Sequence, residues 1–527
     1  MKYIDIEKEI KTWLGKQSKT YKKTFWITFA LINLVFLFHT INFMFGDHDW
    51  NYIRSANYWS EGSFEGRPLH FMLQSLFFGG QVLPILNNLL AFAALTLSGI
   101  MLAKYWKIPF SILNYTLFAT FTAALPLTLV WLFYAKDSLI NLSLPLICIS
   151  GLLLADVKKK ERTYIKHLIA VLLFYFAFSS YVAVINLIAV CLMGRIIIEY
   201  AKGEKLAKII IDKSIVALDI IIALLFFKLT LHFLSVSSDY NTAVITLDIL
   251  PHKFMETLKV MLTQFTTPIP FMDYKYKIAL LILCIFGTGC LLWQINIKRW
   301  PITLLFISGM LFASKLAFFI ADERGKVLAE MENFAFVPRL DFYGLSYIYA
   351  FGLALILLMS KGKWYKTGII IASVLTFMSA VRDMYAEKVW KLGFDAEMKA
   401  HERIVNRIEQ LPEFHADRKY KILQLGSLSL RQNYYRMQEG EETSLDLLST
   451  SFTPQFMSRI VYNFYYPKDI FYDNAGIEEL SSKGKEFIKY QAKPWPSLDS
   501  VFIDGDIIVI VLTQEALAEG QQKIQWY

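Results

Sequence analysis

Asp47, His48 and Asp49 stand together in the stretch GDHDWNY, directly after an apolar run, and Arg67 follows in EGRPLHF. Two carboxylates two residues apart point to one side of an extended segment, whereas on a helix they lie about 200° apart. On a non-helical link both can face one cavity, where a carboxylate could take a proton from a hydroxyl as general base. Asp49 is the favoured base, because Trp50 and Tyr52 stand close by and their rings could stack on a sugar face. Asp47 follows Gly46 and is better placed as a turn residue or as the N-cap of a helix over 49–59. Either acid can be drawn in either role. The Asp-His-Asp order also raises a metal, but a hard cation wants more oxygen ligands than this triplet supplies. No cofactor is therefore expected, and a divalent metal is not favoured.

Arg67 stands at the start of a predicted helix, with Pro68 in its first turn and Leu69, Met72, Leu73, Leu76 and Phe77 as its apolar face. Such a helix lies in a membrane interface rather than crossing it. A guanidinium at that level either clamps a phosphate bidentately or snorkels to lipid head groups. Lys315 falls inside a long apolar run, and an ionisable residue there is a functional candidate. Its partner is a lipid-linked phosphate or Asp322. Arg324 and Lys326 follow, and Arg339 precedes a further run in FVPRLDFYG. Lys136 and Asp137, in AKDS, form a local ion pair at the start of another run. Arg67, Lys315 and Arg339 are thus the candidates for holding a phosphate; Trp50, Tyr52, His48 and Asp137 are those for contacting an acceptor or a sugar. The set suits a reaction between a phosphate-bearing lipid and a hydroxyl. Cations stabilise the leaving phosphate, and an acid takes the proton.

These residues must be positioned by helices in a membrane. The 527 residues are 55% hydrophobic and 19% charged, where soluble chains carry about a quarter charged residues. Apolar runs near the bilayer-crossing length predict about eleven spans, at 24–45, 82–103, 109–130, 139–154, 166–178, 182–198, 214–234, 278–295, 301–320, 340–359 and 367–381. With that count the lysine-rich loops all fall on one side, which the positive-inside rule makes cytoplasmic. The same rule accounts for the net charge of +9 without nucleic-acid binding. GDHDWNY then faces outward. Cys148, Cys191, Cys284 and Cys290 all sit in apolar runs, with neither disulfide nor metal spacing. Residues 1–23 form a charged, amphipathic cytoplasmic segment, 24–383 the membrane domain, and 384–527 a small extracytoplasmic α/β domain. In that last domain apolar residues recur at helical spacing over 386–411, and strand-like runs occupy 420–428 and 506–512.

At GDHDWNY, EGRPLHF, AKDS, SSYVAVIN and PRLDFYG the chain resembles the multi-span glucosyltransferases of bacteriophage serotype-conversion cassettes (the glucosyl transferase II type), within the GT-C superfamily. The resemblance covers 24–383. It implies a mainly α, GT-C-like bundle in a bacterial cytoplasmic membrane, with its active site on the outer face. It also implies a polyprenyl-phosphate sugar donor, typically undecaprenyl-phosphate glucose, and a cell-surface polysaccharide or its lipid-linked precursor as acceptor. The family acids map onto Asp47 and Asp49, and the Gly-Arg onto Gly66 and Arg67. Members using monophosphate donors generally need no metal. The rival readings are a flippase for lipid-linked oligosaccharides, a polysaccharide polymerase and a non-catalytic assembly subunit.

Overall fold

The structure is a computed structural model that describes residues 19–42, 44, 67–79, 81–156, 164–234, 250–263, 272, 274–320, 338–427 and 458–525, the side chains of 338–340 excepted. It is mostly helical. The first helices are α1 (Lys19–Val35), α2 (Leu37–Ile41), α3 (Pro68–Phe78), α4 (Pro84–Tyr105) and α5 (Ile112–Ala123). Then come α6 (Leu129–Leu132), α7 (Ala135–Ala155), α8 (Tyr164–Ser180), α9 (Val184–Ala201), α10 (Leu206–Phe233) and α11 (Leu250–Thr263). The series ends with α12 (Tyr274–Gln294), α13 (Trp300–Ala313), α14 (Leu316–Ile320), α15 (Pro338–Met359) and α16 (Gly362–Glu409).

Helix starts follow local chemistry. Proline opens α3 and α4, where its missing N–H costs nothing. The Ser111 hydroxyl caps α5 by accepting from the Asn114 amide at 3.0 Å. Pro126 prevents α5 from running on, and the chain bends by 52° into the short helical stretch that ends at Leu132.

By length and composition, six described helices can cross a membrane, or seven if the bent pair is one span. Their surfaces carry apolar side chains outward. Leu225, Phe226, Ile282, Ile285, Leu305, Ile370 and Phe377 are all exposed, as lipid-facing residues are and as the surface of a soluble core is not. Burial ranks the helices. The apolar window of α15 is 94% buried, against 33% for α12 and 28% for α16, so α15 runs through the interior. Small residues let it do so. A Cβ on Gly287 of α12 would stand 2.3 Å from the Gly352 carbonyl oxygen of α15, and one on Gly344 would stand 2.3 Å from the Ser314 carbonyl oxygen.

One end of this bundle is closed by ions. Lys213 Nζ lies 2.5 Å from Asp156 Oδ1 and 3.0 Å from Glu199 Oε2, and Arg195 Nε lies 2.8 Å from Glu199 Oε1. Arg195 also donates to the Tyr105 carbonyl at 2.6 Å. Buried charges persist only when paired in this way. The network ties the ends of α4, α7 and α9 to the start of α10.

The chain divides into two compact units. Ala56–Leu132 and Lys136–Met384 belong to the first, and Tyr385–Tyr527 to the second. Within the second stand β1 (Tyr420–Leu425), α17 (Ser458–Asn463), β2 (Phe471–Asn474), α18 (Ser482–Tyr490), β3 (Val501–Asp504), β4 (Ile507–Val511) and α19 (Gln514–Gln525). The sheet order is β2-β1-β4-β3, with β1 parallel to both β2 and β4, and β3–β4 an antiparallel hairpin. Every residue of β4, IIVIV, is buried, as expected of a central strand covered on both faces. Ile404, Ile408 and Tyr420 pack with Ile508 and Ile510 on one face; Ile488 and Leu517 pack with Val509 and Val511 on the other.

Candidate functional site

Helix α3 turns its polar edge inward. His70, Phe71 and Gln74 are buried, while Leu76 and Phe77 are 70% and 69% exposed. The predicted apolar face is thus the outer one, as lipid requires, and the chemistry lies on the face that the apolar periodicity does not mark. Gly79 in the left-handed region ends the helix by returning its N–H to Ser75 at 3.0 Å.

The first turn of α7 meets this inner face. His70 Nε2 and Asp137 Oδ1 are 2.8 Å apart, with both side chains nearly closed to solvent. The sequence pairs Asp137 with its neighbour Lys136. In the structure its hydrogen bond goes to His70, and Lys136 Nζ sits 5.8 Å from the centroid of the Phe71 ring. Arg67 stacks over Tyr181, its guanidinium carbon 4.8 Å from the ring centroid. Tyr181 in turn packs against Trp131 at 5.2 Å and Tyr343 at 5.7 Å between centroids. The Tyr343 hydroxyl donates to the Asn141 carbonyl at 2.9 Å, and Asn141 Nδ2 donates to the Asp137 carbonyl at 3.0 Å.

Residues from EGRPLHF, AKDS, SSYVAVIN and PRLDFYG therefore form one contact chain at the end of the bundle opposite the ion network. That end holds polar atoms without partners. His70 Nδ1, Gln74 Oε1 and Ser179 Oγ are buried and make no hydrogen bond among the described residues. Orphaned buried polar atoms mark a place for water or a hydroxylic ligand.

Lys315 occupies the break between α13 and α14. Its ammonium pairs with Asp341 in the first turn of α15, a partner that the sequence reading, divided between a lipid phosphate and Asp322, does not contain. Lys277, at the start of α12, lies within electrostatic range of both. The break is held open from another helix, because Asn186 Oδ1 accepts the Ala317 N–H at 2.6 Å. Asp341, Lys277, His70 and Asn186 are the residues that sequence reasoning misses. Asp341, His70 and Asn186 lie inside the quoted motifs, so the signal was present at segment level. Lys277 had only its position at the edge of an apolar run.

Arg339 falls in the first turn of α15, with its side chain outside the described residues. Asp47, His48, Asp49, Trp50 and Tyr52 also lie outside them. Among the described residues no three His, Cys, Asp or Glu side chains gather where a metal could sit.

Chemically, this end combines a carboxylate–imidazole pair, several cations, an aromatic wall and unfilled hydrogen-bonding atoms. Comparison of the chain with family models, with curated proteins and with solved structures finds no match.

Proposed function

We propose that the chain is a membrane glycosyltransferase that moves a sugar, a hexose such as glucose, from a polyprenyl-phosphate donor to a cell-surface polysaccharide or its lipid-linked precursor. One observation carries the proposal. Four motif segments, spread from Glu65 to Gly344, converge at one end of the apolar bundle and bring cations, a buried acid and aromatic rings together there. In this reading the bundle is a GT-C-like assembly of about eleven spans in a bacterial cytoplasmic membrane, and the convergent end is extracytoplasmic.

The acceptor hydroxyl attacks the anomeric carbon, the bond from that carbon to the phosphate oxygen breaks, and the lipid phosphate leaves with the bonding electrons. Cations at head-group level stabilise the charge that develops on the phosphate. The hydroxyl proton passes to Asp49, with Asp47 orienting the loop, or the two roles are exchanged. Tyr181, Tyr343 and Trp131 supply flat faces against which a sugar ring can rest.

The test uses the purified full chain in nanodiscs, a labelled polyprenyl-phosphate hexose on one face, and envelope glycan as acceptor. Label joined to glycan supports transfer. Intact labelled donor recovered on the opposite face, with no glycan labelled, replaces transfer by flipping. Asp47→Asn and Asp49→Asn each keep most capping ability, so the substitution at the base lowers turnover by about 10²–10⁴-fold while thermal stability stays near that of the unmodified chain.

A further inference from the structure

Lys277, Lys315 and Asp341 come from separate segments and meet at one end of the first unit. Chain direction brings them there: α12 begins at Tyr274, α13 returns and ends at Ala313, and α15 sets out again from Pro338. Their exposures are 3%, 4% and 1%. Lys315 Nζ addresses Asp341 Oδ1, and Lys277 lies within electrostatic range of both partners. Asp341 Oδ2 is buried and accepts no hydrogen bond from a described residue.

Apolar side chains would hold three helices together at least as well as buried ions do, so packing does not explain this group. Two ammonium groups directed at one carboxylate, whose second oxygen accepts no bond from a described residue, fit a ligand that brings both an anion and a hydroxyl donor.

We infer that Lys277, Lys315 and Asp341 form the seat of a sugar phosphodiester head group, the lysines binding phosphate oxygens and Asp341 Oδ2 accepting a hydrogen bond from a sugar hydroxyl. The inference rests on the proposed transfer reaction and adds two residues to it, Lys277 and Asp341. Ionised, the three groups carry one positive charge, which matches the single negative charge of a phosphodiester. After transfer the lipid phosphate is a monoester with a second ionisable oxygen and no sugar hydroxyl. Asp341 then repels it and lacks its hydrogen-bond donor, so the seat favours donor over product.

The full chain in nanodiscs is titrated, without acceptor, with undecaprenyl-phosphate glucose, undecaprenyl phosphate, undecaprenol and inorganic phosphate, and binding is read by native mass spectrometry. Lys277→Gln and Lys315→Gln each weaken the sugar phosphodiester by about ten- to a hundredfold, the loss of one charged hydrogen bond, while Lys277→Arg binds within about threefold of the unmodified chain. Asp341→Asn removes the preference for the glucose-bearing lipid over undecaprenyl phosphate. Undecaprenol binding as tightly as the phosphates overturns the seat, and so does displacement of the lipid by inorganic phosphate at equal concentration, which makes free phosphate the ligand.

Should the variants fail to fold, the unmodified chain decides. Undecaprenyl-phosphate glucose carrying a photoreactive group on its first isoprene unit cross-links to peptides from the start of α12, the break after α13 or the start of α15. Cross-links confined to other segments overturn the proposal. Sugar transfer with cross-links elsewhere sinks the seat and leaves the function standing; cross-links here without transfer do the reverse.

Discussion

The His70–Asp137 contact allows a quantitative test of how the convergent end is held. Asp137→Ala removes a charged acceptor 2.8 Å from His70 Nε2. Since His70 Nδ1 has no partner among the described residues, the variant leaves both ring nitrogens of a buried imidazole unsatisfied. It also strips Lys136 and Arg67 of a carboxylate within electrostatic range. Removing one member of a buried pair costs about 3–5 kcal/mol. His70→Ala is milder, about 2 kcal/mol, because Asp137 keeps those two cations and only one charged hydrogen bond, of about 1.5–3 kcal/mol, is lost. The coupling between the sites is smaller than either figure. Interhelical hydrogen bonds in membranes average about 0.6 kcal/mol and reach about 1.7, and a charged acceptor places this one near the top, at about 1.5. The four proteins of the double-mutant cycle are compared in detergent, with local opening free energies read from hydrogen exchange of peptides from α3 and α7. Coupling under about 0.5 kcal/mol, or His70→Ala costing as much as Asp137→Ala, refutes the account of a charged pair joining the two helices.

Sidedness follows from labelling: with the convergent end outside, Gln81→Cys reacts with an impermeant maleimide on intact cells and Lys205→Cys reacts only after permeabilisation, and the opposite pattern reverses the orientation. Gly287→Ala forces a Cβ against the Gly352 carbonyl oxygen and lowers stability by about 1–3 kcal/mol, measured by thermal melting in detergent; an unchanged melting point means the two helices are not in close contact there. In the second unit, the Lys421 ammonium bonded to Glu479 holds that carboxyl below its usual range, and the carboxylate raises the lysine. Glu479 therefore stabilises the fold above its unfolded value near 4.5 and loses that contribution as pH falls through the lower folded value, while Lys421 contributes below 10.5 and loses it as pH rises through the higher one. Lys421→Gln flattens the acid limb of the melting-temperature profile, and since the pair is exposed the difference shrinks in high salt.

Segments were legible in the sequence more often than individual residues. The motifs EGRPLHF and PRLDFYG mark the right places, yet attention falls on Arg67 and Arg339, whereas the described contacts run through His70, Asp341 and Tyr343. A buried polar side chain leaves no periodic trace. In α3 the apolar stripe is legible, but in a membrane that stripe faces lipid, so the usual inference from stripe to core points outward. The run 367–381 and the helical spacing over 386–411 read as two elements because hydropathy changes at Arg382 and Asp383. Polarity does not break a backbone, and without proline across that join the helix continues from Gly362 to Glu409. In the small sheet, β1 and β4 show as apolar, β-branched runs. The strands FYDN and VFID are short and half polar, and pairing with their neighbours, not propensity, makes them strands.

The hydrogen bond from Ala317 to Asn186 bears on how the chain is assembled. Residues 300–320 leave the ribosome as one apolar stretch long enough to cross a bilayer. An amide without a partner is costly in hydrocarbon, so during insertion the continuous helix is the stable form. Asn186 lies 131 residues earlier in the chain and is already in the membrane when that stretch arrives. Only when α9 packs beside it does the Ala317 N–H gain an acceptor outside its own helix. The break at Ser314 and Lys315 therefore belongs to the second stage of membrane folding, the association of helices already inserted, and the lysine reaches Asp341 as a product of that association.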